Sequence, residues 1–347
     1  MVSSFSNLHA NLSEMELKRL LNEAKSEFPP AKSNILVIVP DLTRTAPIDK
    51  FFPILCERFL KDGSKVDFIV ALGTHRQPSE DEVSKLVGLD KKERQERFPG
   101  VRIFNHQWDL SAELTLLGKI SADKLKKISK GLLAEDVPIT INKRVLDYDH
   151  LIIIGPVFPH EVVGFSGSNK YFFPGLAGRE IIDVSHWLGA LVTNLDILGK
   201  QDTPVRQLID EAALLIRKPI TYINLVMAGK ELKGCFVGRT KEAWRKATEL
   251  SAQLNVVWHD HPYESILSIP STKYEDLWTG AKAIYKLESV VLDGGDLIVY
   301  APHLKILSFA HDELIREIGY HVRDYFLFQE QRFAHVPRGV LAHSTHV

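Results

Sequence analysis

Cysteine is scarce in this sequence: Cys56 and Cys235 are the only two in 347 residues, and they lie in unrelated segments. A disulfide framework or a thiolate-rich metal site therefore finds no support, and a reduced, cytoplasmic setting fits that usage. Net charge is nearly absent as well. With 43 Lys and Arg against 44 Asp and Glu the formal charge is −1 and the pI is about 6.9, so nothing in the balance favours nucleic acid or an anionic membrane as partner. No run approaches the roughly 18 apolar residues of a membrane span. The opening MVSSFSNLHANLSEME has neither a basic start nor an apolar core, which argues against a secretory signal. Three common signatures are also missing. GFSGSNK puts Tyr171 where a P-loop needs Ser or Thr, no GxGxxG follows a strand, and His160-Glu161 lacks the second histidine of a zinc helix.

What is present is ordinary globular composition, 45% hydrophobic and 25% charged, in a chain long enough for two domains. Apolar runs at Ile35–Val39, Val66–Leu72, Val101–Phe104, Leu151–Ile154 and Tyr222–Val226 predict strands. Helical patterns at Leu17–Ala24, Ile48–Leu60, Glu180–Leu191 and Thr203–Ile216 alternate with them, and Ser13/Glu16 and Ser79/Glu82 mark helix starts. This rhythm predicts an α/β fold with a mixed or parallel sheet. Around Pro262 and Pro270 the texture breaks into short pieces, which suggests a domain crossing near 255–265. The expected division is a larger N-terminal α/β domain over 1–258, a smaller C-terminal α/β domain over 259–334, and a terminal strand over 335–347 returning to the first, with the active site in the cleft. Asp276–Leu287 is expected as one helix with Trp278 and Lys282 on one face. DGGD at 293–296 is expected as a tight turn leading into a strand. Gly339–Ala342 is expected as a strand with His343 and His346 at its end, either a metal site or a disordered terminus.

Chemistry concentrates in residues 155–186, where Gly164, Gly167, Gly175 and Gly178 surround Lys170, with His160 before them and His186 after. Glycines at that density mean sharp turns or a ligand near the backbone. A phosphate-bearing cofactor beside a base or a metal is one interpretation; a long surface turn is the other. In open α/β sheets ligands sit beyond the carboxyl ends of the strands. Asp41, Thr43 and Arg44 follow one predicted strand and His75 and Arg76 the next, in the same relative place. Arg44 suits a carboxylate or phosphate, although an internal Asp41–Arg44 pair explains the turn equally well. His106 follows a third strand and is expected to support the site rather than react. The inventory is two candidate bases, a possible metal ligand, a lysine and cationic clamps, which suits a racemase or epimerase, where a proton is managed on either face of a carbon.

DLTRTAP, GTHR, the spacing from His160 through GFSGSNK to PGLAG, and His186 resemble, in that order, the nickel-dependent lactate racemase family over about residues 35–285. The resemblance implies a nickel-pincer nucleotide (nickel pyridinium-3-thioamide-5-thiocarboxylic acid mononucleotide) bound covalently to Lys170, with His186 as a nickel ligand. It implies His75 and His160 as alternating acid and base, Arg44 and Lys282 on the substrate carboxylate, and Asp41, Ser166 and Gly167 at the cofactor. The implied reaction interconverts the configurations of a 2-hydroxy acid by proton-coupled hydride transfer through a bound 2-keto acid, and the implied partners include cofactor-maturation enzymes. Three departures stand out. Trp278 and Thr279 align where lactate-using members carry tyrosine and glutamine, which points to a bulkier or more hydroxylated substrate. Ser168 replaces a usual second glycine. The chain also stops a few tens of residues short of typical relatives, and a truncation there would bear on domain closure. The alternatives are a non-catalytic binding protein of the same fold and an α/β phosphosugar enzyme using Lys170 for phosphate. Oligomeric state is left open.

Overall fold

The structure, a computed structural model, describes residues 2–346, the side chain of His346 excepted. The chain begins with β1 (Ser3–Ser6) and α1 (Glu14–Glu23), whose capping box is complete: Ser13 accepts from Glu16 N while Glu16 accepts from Ser13 N. Two strand–helix units follow, β2 (Asn34–Val39) with α2 (Ile48–Lys61), then β3 (Lys65–Val70) with α3 (Glu80–Val87) and α4 (Lys91–Arg97). β4 (Ile103–Asn105) leads to an antiparallel ribbon of β5 (Leu114–Ile120) and β6 (Val137–Asn142), joined through α5 (Ala122–Ile128). Next come β7 (His150–Pro156), the short ribbon of β8 (Pro159–His160) and β9 (Gly164–Phe165), and α6 (Arg179–Val192), α7 (Asn194–Ile197) and α8 (Pro204–Ala213). The hairpin β10 (Ile220–Ala228) and β11 (Glu231–Gly238) precedes α9 (Lys241–Asn255).

One seven-stranded sheet, ordered β1-β11-β10-β7-β2-β3-β4, organises these elements. β10, β7, β2, β3 and β4 are parallel, while β11 runs antiparallel to β10 and β1 to β11. From β2 the chain steps outward through β3 to β4, then returns to place β7 on the other side of β2 and β10 beyond it. The carboxyl ends of β2 and β7 therefore form a topological switch point, where diverging connections leave a crevice. Both faces of the sheet are covered, so the strands read as continuous apolar runs. In β2, Ile35, Val37 and Val39 pack with α1 and α2, whereas Leu36 and Ile38 join the core formed with β6, α6 and α8.

The remainder is built from short pieces: β12 (Tyr263–Ser268), α10 (Leu277–Gly280), α11 (Lys282–Tyr285), β13 (Val291–Val299), α12 (Asp312–Ile318), β14 (His321–Val322), α13 (Arg323–Leu327), α14 (Arg338–His343) and β15 (Thr345–His346). Its apolar cluster of Ile315, Ile318, Phe326, Phe333, Val340 and Leu341 closes on Trp187 and Ala190 of α6. That helix thus packs into two cores. No helix among the described residues is long and apolar enough to cross a membrane.

Several expectations need correction here. Residues 339–342 are helical, within α14, because Pro337 at the N-cap starts a turn that buries Val340 and Leu341 against α6; a short apolar run does not by itself distinguish strand from helix. The expected helix over 276–287 is divided at Ala281 into α10 and α11. DGGD lies inside β13 rather than ahead of it: pairing passes from Tyr263–Val291 to Ser265–Asp296, and the intervening residues bulge out with Gly294 at φ 81°.

Two buried histidines make acid stability testable. His106, 1% exposed, bonds to Ala177 O at 3.0 Å, and His150 bonds to Thr221 Oγ1 at 2.8 Å. Burial holds each down to about 4. Both bind a proton more readily in the unfolded chain, near 6.5. Their contribution is complete above that value and is lost as pH falls toward 4, by on the order of 3 kcal/mol for each at most. The thermal midpoint should fall steeply between pH 6.5 and 4.5, and His106→Gln should flatten the slope; melting curves with the same slope in both proteins would refute this origin.

Candidate active site

At the end of β2 the chain turns through Asp41, whose Oδ1 accepts from Thr43 N at 3.1 Å and Thr43 Oγ1 at 2.5 Å. Oδ2 lies 2.6 Å from His75 Nδ1 at the end of β3. Burial alone would raise Asp41, but His75, Arg44 and Thr43 hold it well below the usual carboxylate range. The ionised carboxylate accepts from Nδ1–H, which leaves His75 Nε2 with its lone pair toward the cavity. Asp41 is therefore first an orienting group for His75, with lone pairs remaining for a ligand hydroxyl. The Asp41 carboxylate thus bonds Thr43 within the turn, while Arg44 closes it through its backbone N–H, which donates to Asp41 O at 3.2 Å. Arg44 donates to Thr43 Oγ1 at 2.9 Å and lies 5.9 Å from the Phe158 ring centre, which leaves it on the cavity wall.

After β7, the segment Phe165–Lys170 is held from behind by groups that carried no signal in the sequence. Arg206 is 1% exposed, stacks 4.4 Å from Trp244, and donates to the carbonyls of Phe165 and Gly167. Trp244 Nε1 donates to the carbonyl between them, Ser166 O, at 2.8 Å. Three successive carbonyls are thus fixed by two side chains from α8 and α9. Ser166 Oγ is committed to the protein, donating to Pro156 O at 2.8 Å and accepting from Phe158 N at 3.0 Å. Gly167 takes φ 87°, and a Cβ there would lie 2.6 Å from Val157 Cγ2. Ser168 follows at φ 53°, the left-handed region, so the usual second glycine has a backbone reason. Asn169 is gripped by Asp210 at 3.0 Å and Tyr222 at 2.6 Å. Lys170 emerges from this rigid turn, and burial, with Arg44 and Lys282 nearby, pushes its amine down to about 7.

His186, on α6, donates Nδ1–H to Ile182 O at 2.7 Å, which leaves Nε2 as a lone-pair donor, and burial lowers it to about 4. A neutral imidazole oriented by its other nitrogen is the form that binds a metal. His160 is 4% exposed and, by burial, held well below its ordinary value. Its Nδ1 accepts from Val162 N at 3.1 Å, so its neutral form carries the proton on Nε2. Glu161 beside it meets Lys282 Nζ at 3.2 Å. Trp278 lies flat on His343, 3.7 Å between ring centres and 12° between planes, and His343 lies 5.0 Å from His186.

His75, His160, Lys170, Asp41, Ser166, Gly167, Arg44, Lys282, Trp278, Thr279 and His186 all line one cavity with about 810 Å³ of atom-free space. Sequence reasoning missed Glu161 and His343 on the same wall. In the sequence Glu161 stands out only as part of a broken zinc motif, and His343 only beside His346, whose side chain lies outside the described residues. His106 stays behind the site, bonded to Ala177 O and Asn142. Among the described residues no group of three or more His, Cys, Asp or Glu is placed to hold a metal ion.

The lactate racemase N-terminal domain family matches residues 12–196. A lactate racemase of Thermoanaerobacterium thermosaccharolyticum is 23% identical over 304 residues, covering 84% of this chain and 66% of that protein. A lactate racemase of Lactiplantibacillus plantarum is 29% identical over 194 residues, covering 54% and 41%. The chain thus spans 66% or less of the length of these curated relatives. A crystal structure of a protein from Thermotoga maritima superposes with TM-score 0.88 at 30% identity, over 98% of this chain and 83% of that one. The lactate racemase apoprotein of T. thermosaccharolyticum superposes with TM-score 0.75 at 19% identity, over 96% and 79%, a likeness of fold.

The lowered Lys170 amine is directly measurable. Near pH 7 about half the molecules carry it unprotonated, hence nucleophilic. Trace labelling with fluorodinitrobenzene and peptide mapping should give a Lys170 rate profile with its midpoint near 7. A midpoint near 10, as for solvated lysines, would show that burial does not set its charge.

Proposed function

We propose, from the premise that this chain belongs to the lactate racemase family, that it interconverts the configurations of a 2-hydroxy acid with a nickel-pincer nucleotide held on Lys170. The observation that carries this is a lysine poised to be a nucleophile near neutral pH in one cavity with His75, His160 and His186, each in a distinct setting. The residues fit the group. His186 offers a free Nε2, and with no protein cluster of metal ligands among the described residues, a metal here must arrive with other donors of its own. When bound, the nucleotide supplies a hydride acceptor and donor and brings its nickel.

The chain's own residues manage the rest. Arg44 and Lys282 receive the substrate carboxylate. His75 takes the proton of the 2-hydroxyl at Nε2 while Asp41 stabilises the imidazolium through Nδ1–H. His160 serves the opposite configuration. The two-lobe division at about residue 258 belongs to this proposal: Lys282–Glu161 at 3.2 Å, Arg76–Glu275 at 3.0 Å and Lys273–Thr45 at 3.0 Å tie residues 259–334 over the strand ends. Closure there would keep water from the keto acid. The substrate is larger or more hydroxylated than lactate. An adjoining space of about 910 Å³ shares Asp41, Thr74, His75, Trp278 and Thr279 with the site and extends to Arg76, Lys273 and Ser308. Cofactor-maturation enzymes are the implied protein partners.

The test is intact mass and nickel content of the chain produced with cofactor-maturation enzymes, followed by a screen of chiral 2-hydroxy acids. The expected result is a nucleotide adduct with about one nickel per chain, absent in Lys170→Ala. His75→Ala and His160→Ala should each keep the adduct and lose roughly 10²-fold or more in turnover. An unmodified, nickel-free wild-type chain would reject the proposal in favour of a binding protein, and an adduct retained in Lys170→Ala would reject the attachment site.

A further inference from the structure

Glu161 is the one charged group of the cavity that the proposed chemistry leaves idle. It is 6% exposed and stands between two groups with assigned tasks. Its Oε1 meets Lys282 Nζ at 3.2 Å. Its Oε2 lies 3.6 Å from His160 Nδ1, is buried, and accepts no hydrogen bond. A buried carboxylate oxygen without a donor is unfavourable, and an approach of roughly half an ångström would give this one a donor in His160.

The two proposed acid–base histidines are set in opposite tautomers. Asp41 holds Nδ1–H of His75 at 2.6 Å, so His75 Nε2 is a base. Val162 N–H donates to His160 Nδ1 at 3.1 Å, so His160 Nε2 bears a proton and cannot accept one from the cavity. His160 thus lacks the engaged carboxylate that makes His75 a base, yet has one within reach. What restrains that carboxylate is Lys282, the residue assigned to the substrate.

We infer that Glu161 is a positioning residue that exchanges partners: it holds Lys282 while the site is empty, and turns to His160 Nδ1 when a substrate carboxylate draws Lys282 away. The exchange converts His160 into a base facing the cavity only when a substrate is present. It rests on the proposed roles of His160 and Lys282. The tautomer change moves one proton from Nε2 to Nδ1 through solvent, with no change of charge, and gives up the Val162 bond for one to a carboxylate. When the substrate O–H bond then breaks, its proton bonds to Nε2, and the imidazolium donates Nδ1–H to Glu161. The charged groups facing His160 are Glu161, Lys170, Lys282 and Arg44, with Lys286 also facing Glu161. Glu161 is the only acid in that set.

The test needs neither cofactor nor turnover, so its failure is distinct from failure of the proposed function. In the full chain labelled with ¹⁵N-histidine, ring nitrogen shifts at pH 7.5 report each tautomer, and buried His106 serves as the internal reference. Lys282→Met stands in for withdrawal of the ammonium. His160 should be the Nε2–H tautomer in wild type, become Nδ1–H in Lys282→Met, and be Nε2–H again in Lys282→Met/Glu161→Gln. An unchanged tautomer in Lys282→Met overturns the inference, as does a change that persists in the double variant. If Lys282→Met disturbs the His106 signals, Lys282→Gln replaces it and is read by the same criteria.

Discussion

Buried charge is tolerated only where an opposite charge or a lost proton compensates it, and at the carboxyl ends of β2 and β7 the compensation is incomplete. Arg44, Lys170 and Lys282 face one cavity with Asp41 and Glu161. Asp41 is committed to His75 and Thr43, and Glu161 meets Lys282. Among the described residues no carboxylate reaches Lys170 at ion-pair distance, and its amine gives up proton affinity instead. The site is therefore short of negative charge. A ligand carboxylate or phosphate supplies what is missing, and a neutral lysine amine is what a covalent attachment needs. Removing one member of such a set leaves another uncompensated, typically a loss of several kcal/mol.

Holding that imbalance requires a stiff frame. The switch point opens the crevice, but the conformation of the Lys170 turn is imposed by Arg206 and Trp244 on three successive carbonyls, and by Asp210 and Tyr222 on Asn169. These contacts come from α8, α9 and β10, well downstream of the turn. α6 does the same for the opposite wall: its one face enters the main core, and its other receives α10, α12 and α14 through Trp187 and Ala190. The helix that carries His186 is thus the place where the two parts of the chain are joined. Trp278, stacked on His343, lines both the cavity and the adjoining space. A substitution at Trp278 therefore alters the room in both spaces and the environment of His343 together.

Much of this was legible in the residues. The five parallel strands were visible as apolar runs because both faces of the sheet are buried. Of the residues that follow two of those runs, Asp41, Arg44 and His75 line the cavity, Thr43 and Arg76 line the adjoining space, and His106, after a third, lies behind both. Less was visible where the chain lacks long periodic elements. β11 gives little strand signal because its alternation is interrupted by Lys233 and Gly234, and the pieces after residue 258 are too short for a period to establish itself. Ser166 shows a subtler limit. It lies where expected, but its hydroxyl bonds Pro156 O and Phe158 N, and only the folded backbone decides which partner a hydroxyl finds.

The sequence by itself determined which chemistry-bearing residues follow which strands, because a buried parallel strand is written locally, in its own apolar run and in the glycines that end it. It also determined that any metal here would lack a thiolate cluster. The folded structure decided the charge states and tautomers in the cavity. Burial of Lys170, the carbonyl of Ile182 on His186, the amide of Val162 on His160, and the approach of Glu161 to Lys282 are all set by neighbours. Proton affinity is a property of surroundings: for Lys170 and Glu161 these come from segments far apart in the chain, whereas His186 and His160 are oriented by nearby backbone and owe to the fold the burial that holds them neutral.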